Sequence, residues 1–137
     1  MAGSSMTFSY DESGHVRRVI CDWVSDDVTG AVSGTCKKIA GSLIKAVTVP
    51  SGTAAPTANY DIALTDPNTV DVLGRCIASL ANRHTSNVEE VYCLVSSLAA
   101  TDPGGVLHPT VCDPLTFAVT NAGNSKAGKI ILYYRES

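Results

Sequence analysis

The sequence predicts a mainly β protein: a single-domain antiparallel β-sandwich or small barrel with long loops. Three observations lead there. Short alternations of apolar and polar residues recur along the chain, the period that gives a strand one buried face. Turn-forming clusters of Gly, Pro, Asn and Asp break them roughly every ten residues. Gly, Ala, Ser, Thr and Val dominate the composition, a mix that favours strands and turns. At 137 residues the chain suits one domain spanning 1–137, with 1–5 flexible.

The elements follow in order. Met6 to Tyr10 alternates as a short strand, and Asp11 to Gly14 is a turn. His15 to Val24 is a longer strand whose arginines mark an edge or a contact surface. Ser25 to Gly34 is expected as a loop. Lys37 to Val49 follows, the part after Gly41 being the better strand, and it ends at Pro50. Ser51 to Thr57 is a small-residue loop. Tyr60, Ile62 and Leu64 share one face of the next strand. Asp66-Pro67-Asn68-Thr69 suits a type I turn, returning as a partner strand over Val70 to Leu73. Cys76 to Ala81 fits one or two turns of helix, and Arg83 to Asn87 a polar loop. Val88 to Ser97 reads equally as helix or strand, and Ala99 to Pro109 as an irregular loop. Leu115 to Thr120 and Lys129 to Arg135 are expected to form a hairpin around the loop Asn121 to Gly128. The second arm is apolar on both faces through Ile130 to Leu132. That predicts a central strand covered on both sides.

Apolar residues make up 45% and charged ones only 17%, below the usual quarter. So little charge leaves uncharged surface for subunit contacts. The net charge of -3 carries no nucleic-acid footprint. No apolar run is long enough for a membrane helix, and Met1 to Ser5 lacks the apolar core of a secretory signal. The five cysteines, Cys21, Cys36, Cys76, Cys93 and Cys112, are odd in number and widely spaced. Reduced, partly buried thiols are the expectation.

Catalytic patterns are weak. His15, His84 and His108 show no metal-ligand spacing. Asp66 to Asp71 lacks the glycine and distal Glu of a calcium loop. Gly30 to Gly34 lacks the Gly-Lys-Ser/Thr ending of a phosphate loop. Glu89-Glu90 reads as a solvated face. No catalytic residue, cofactor or metal site is assigned. Arg17-Arg18 and Lys37-Lys38 form a basic patch if their strands pair, suited to an acidic neighbouring subunit. Together with Asp102, Pro103, Gly104 and Gly105 of the irregular loop, they are the candidate subunit-contact residues.

Three stretches carry a resemblance: Val16 to Asp26, Ala55 to Asp66 running on to Gly74, and Leu115 to Arg135 with its Asn-Ala-Gly-Asn-Ser-Lys-Ala-Gly loop. Together they resemble a family of small structural proteins encoded in tailed-bacteriophage genomes. Arg75-Cys76 departs from that pattern, where a small residue is expected. The resemblance implies a non-enzymatic virion component present in many copies, assembled in the host cytoplasm. The leading expectation is a capsid decoration or cement protein. Its partner would be the major capsid protein, in a homo-oligomer or another symmetric multicopy assembly. It would touch neither nucleic acid nor membrane directly. A head–tail neck or tail subunit is the alternative. A carbohydrate-binding β-sandwich module is a further one; it calls for an exposed aromatic platform, and the single Trp, Trp23, sits inside an apolar strand.

Overall fold

The computed structural model of the protein describes residues 4–69, 72, 83, 85–92, 95–96, 106–107 and 110–136. These are mainly strand, with no helix among them. The strands are β1 (Ser5–Asp11), β2 (Val16–Val24), β3 (Val32–Pro50), β4 (Asp61–Thr65), β5 (Glu89–Tyr92), β6 (Val95–Ser96), β7 (Val106–Leu107), β8 (Thr110–Thr120) and β9 (Ala127–Arg135). Seven of them make one antiparallel sheet in the order β1-β2-β9-β3-β8-β4, with β5 also on β3. The sheet is not closed. β6 and β7 form a separate two-stranded ladder.

β3 organises the rest. Its first half pairs with β8, from Val32↔Val119 to Ser42↔Thr110. Its second half pairs with β9, from Ser42↔Arg135 to Pro50↔Gly128. β5 takes up the other edge of that second half over Lys45 to Thr48. Only the short segment 121–126 joins β8 to β9, and it spans at most about 25 Å. A straight strand of 19 residues would hold its ends about 60 Å apart. β3 must therefore fold back sharply. The fold falls at Gly41, with φ +147°, next to a register shift between Leu43 and Lys45. Bulges and glycines are the usual means of turning such a corner.

The result is one sheet doubled over on itself. β1, β2, β9, the second half of β3 and β5 make one layer; the first half of β3 with β8 and β4 makes the other. Side chains of period 2 fill the space between. Val19, Cys21 and Trp23 enter from β2, Leu115, Phe117 and Val119 from β8, and Ile130, Leu132 and Tyr134 from β9. Two aromatic contacts join the core: Phe8 meets the edge of Phe117 at 5.4 Å, and Trp23 tilts over Tyr60 at 5.7 Å. Each fully buried side chain of Leu or Phe size contributes roughly 1.5–3 kcal/mol.

Several expectations are corrected. Leu115 to Thr120 and Lys129 to Arg135 are strands but not a hairpin, because β3 lies between them. The loop Ser25 to Gly34 ends early, since β3 begins at Val32. That half was hidden because a bulge between Thr35 and Lys38 breaks the alternation of Val32, Cys36 and Ile39. β5 settles part of the ambiguous Val88 to Ser97 as strand. The turn at Asp66 forms: Thr69 N donates to the Asp66 carbonyl at 2.9 Å and Asn68 N to Asp66 Oδ1 at 2.9 Å. Of its expected returning strand, 70, 71 and 73 lie outside the described residues; Val72 lies in a turn, and its N–H donates to the Leu64 carbonyl at 2.9 Å. The expected helix at 76–81 lies outside the described residues.

Candidate contact surface

The candidate basic residues do not form a basic patch. β2 and the first half of β3 are not paired. Arg17 and Lys37 still converge, because both reach Glu12 in the turn after β1. Arg17 lies 3.6 Å from its carboxylate and Lys37 makes a close ion pair with it. Arg17 also pairs closely with Glu136. The Lys37 ammonium sits over the Tyr10 ring at 4.4 Å, and its backbone N–H donates to the Tyr10 hydroxyl at 2.9 Å. Glu12 holds the Lys37 pKa above its usual value. This is a balanced charge cluster that ties β1 to β3, not an electropositive surface. Lys38 is exposed and stands opposite Pro114. Asp102, Pro103, Gly104 and Gly105 lie outside the described residues.

Arg18 points the other way, onto the outer face of the β1-β2-β9-β3-β5 layer. The pairing registers arrange that face in rows across the strands. Asp11, Arg18, Tyr133, Lys45 and Tyr92 form the first row, and Ser9, Ile20, Ile131, Val47 and Glu90 the second. Thr7, Asp22, Lys129 and Val49 form the third, and Ser5, Val24 and Ala127 the fourth. A stripe of half-buried Ile20 and Ile131 and buried Val47 thus crosses the middle.

The charges around the stripe are matched within the face. Arg18 donates to Asp11 at 2.8 Å, Lys45 to Glu90 at 3.0 Å, and Lys129 lies 3.7 Å from Asp22. The Arg18 guanidinium holds the Asp11 carboxyl below its usual range. The Glu90 carboxylate raises Lys45, whose ammonium also lies 4.8 Å from the Tyr133 ring centre. Exposed pairs of this kind add little to stability, about 0–1 kcal/mol each. They do neutralise the surface. Below the stripe lies an open hollow of about 400 Å³, lined in part by Thr7, Val24, Val49 and Ala127. A Cβ on Gly128 would come within 2.7 Å of Trp23 Cζ2, so the residue cannot be larger.

At one end of the sheet three loops interlock. Ser25 is fully buried there. Its hydroxyl donates to the Gly123 carbonyl at 2.6 Å and accepts from Lys126 N at 2.8 Å. Thr57 N donates to the Ala122 carbonyl at 2.8 Å, and Ala127 N to the Ala54 carbonyl at 2.9 Å. Val28 projects from this end with 79% of its surface exposed. Trp23, by contrast, is 1% exposed and offers no platform for a sugar ring.

The alternation of Arg18, Ile20, Asp22 and Val24 was visible in the sequence. What it faced was not, because the partners of β2 on β9 come from a pairing more than a hundred residues away. Among the described residues no group of three or more His, Cys, Asp or Glu is placed to hold a metal ion. Comparison with models of known families, with curated proteins and with solved structures finds no match to this chain.

Proposed function

We propose that this chain is a structural subunit of a tailed-phage virion, acting as a capsid decoration protein that stabilises the shell through contact with the major capsid protein. The sequence resemblance motivates this reading, and the interlocked loop end supports it. Loops tied to one another by backbone hydrogen bonds lose little freedom when they dock, so more of the contact energy appears as affinity. Val28 gives that end an apolar knob of the sort that fills a pocket in a partner. Three hollows, lined in part by Thr7 and Val24, by Ser33 and Ala118, and by Glu12 and His15, are more open than enclosed, which suits extended protein contact better than capture of a small ligand.

Co-sedimentation with undecorated particles tests the reading. The wild-type protein should bind and raise the particles' resistance to heat. Val28→Glu should weaken binding with no change in the protein's own melting. Equal binding by the two proteins would exclude the loop end as the contact. No binding by either would favour the neck or tail position.

A further inference from the structure

We infer that Trp23, Thr48 and Tyr60 form a binding site for one buried water molecule, which joins the two layers as a structural part of the core. The inference rests on the core alone and stands apart from the virion reading.

The three residues come from separate parts of the chain and meet inside. Trp23 is the last inward residue of β2, Thr48 faces inward from β3 opposite Ile130, and Tyr60 precedes β4 in the other layer. Each is 1% exposed. Gly128 stands opposite Trp23 on β9 and has no side chain, so the indole lies across it. The position of a Cβ there is 2.7 Å from Trp23 Cζ2, 3.0 Å from Cε2 and 3.0 Å from the Val49 carbonyl oxygen. Cε2 carries Nε1, so the N–H edge of the indole reaches β3 beside Thr48. The indole also tilts over the Tyr60 ring, with 5.7 Å between centres. Burial raises the Tyr60 pKa, and the Thr48 hydroxyl opposes that rise from close by.

Two of the three polar groups lack a partner. Trp23 Nε1 and Thr48 Oγ1 are buried and find no hydrogen bond among the described residues. Such groups are rare in folded proteins, because each gives up its bonds to solvent and receives none in return. The contrast with Ser25 is direct. Ser25 and Thr48 are the buried polar residues among those described, and Ser25 is satisfied by Gly123 and Lys126. Thr48 is not. The indole N–H only donates, whereas each hydroxyl donates or accepts. One water meets all three needs: it accepts from Nε1 and shares one bond with each hydroxyl. Three bonds is the usual number for a buried water, and a chain of 137 residues holds about five such waters. Trp23, Thr48 and Tyr60 lie within three residues of Ser25, Ser51 and Thr57. The water therefore ties the layers together directly beneath the interlocked loops.

A high-resolution crystal structure of the protein and the Thr48→Val variant test this. Density for a water should lie within about 2.7–3.2 Å of Thr48 Oγ1 and of Trp23 Nε1 or the Tyr60 hydroxyl. Valine keeps the shape of threonine and removes only the hydroxyl. With the water in place, Thr48→Val takes away one of its partners, and the urea midpoint should fall. With a dry hydroxyl, the same change removes an unpaired polar group from the core, and the midpoint should rise. If Thr48→Val fails to fold, the density decides alone. An absence of density at that point overturns the inference, as does a higher midpoint for Thr48→Val. A direct bond between Thr48 and the Tyr60 hydroxyl, with nothing between them, overturns it too.

Discussion

The position a Cβ would take on Gly41 lies 2.0 Å from the carbonyl oxygen of Arg135. The corner of β3 and the end of β9 therefore approach more closely than any side chain permits. Gly41 also has φ +147°, which other residues rarely adopt. Gly41→Ala should destabilise the protein by at least about 1–3 kcal/mol through backbone strain. Gly52→Ala is the control, since nothing lies within 4 Å of its Cβ position; it should stay within about 0.5 kcal/mol of wild type. Urea denaturation of both proteins measures the contrast.

The two sides of β9 should respond differently to truncation. Leu132 is fully buried, whereas Ile131 is half-buried on the outer face. Leu132→Ala should cost roughly 2–5 kcal/mol. Ile131→Ala should cost clearly less in dilute solution. Similar losses for the two would mean that the outer face is covered within the monomer. Deleting 130–137 removes a strand hydrogen-bonded on both sides and should leave an insoluble chain; a soluble product with a cooperative melt would contradict the central placement.

The thiols should separate by accessibility. Cys21 and Cys36 are buried and free, and Cys112 is exposed and free. Cys112→Ser should remove one fast-reacting equivalent from a native-state thiol titration. Cys21→Ser should leave the fast phase unchanged. Denatured, unreduced protein should expose all five.

Stability should fall in alkali. Burial pushes the Cys21 thiol from 9.0 up to about 12, with Asp22 and Cys36 adding to it. Burial also raises Cys36, Tyr60 and Tyr134. The unfolded chain loses the Cys21 proton from about pH 9 upward, while the folded one keeps it to about pH 12. The folded state then binds more protons, so stability drops with rising pH by up to about 1.4 kcal/mol per unit for that one group. Below pH 9 the Cys21 contribution is flat. Cys21→Ala should flatten the slope between pH 9 and 12 in denaturation midpoints, whatever its effect at neutral pH; an unchanged slope would show that Cys21 does not drive it.

What could be read from the sequence depended on range. Period-2 patterns such as Leu115, Phe117 and Val119 identified strands and their buried faces, and all three residues are fully buried. The turn at Asp66 was legible because its chemistry is local. Pairing was not. The short Asn/Gly loop after Thr120 read as a hairpin, since nothing in it records that another strand comes between. The bulge near Thr35 and the corner at Gly41 likewise concealed half of β3, because each displaces the alternation by which strands are recognised. The basic pairs failed as a patch for a similar reason. Their neighbours Asp11, Glu12 and Glu136 become visible only once the turn after β1 and the end of β9 are brought beside them.

The pairing of β2 with β9, Val19 opposite Leu132, joins residues more than a hundred positions apart, and β3 is completed on both edges only when β8 and β9 have docked. Closing loops of that length precedes any return in contacts, so the free energy of ordering is met before most of the core exists. The protein should accordingly fold on the millisecond-to-second scale of non-local β topologies. Until β9 docks, β2 and the second half of β3 both present unpaired edges, and it is in that interval that strands of different chains can join.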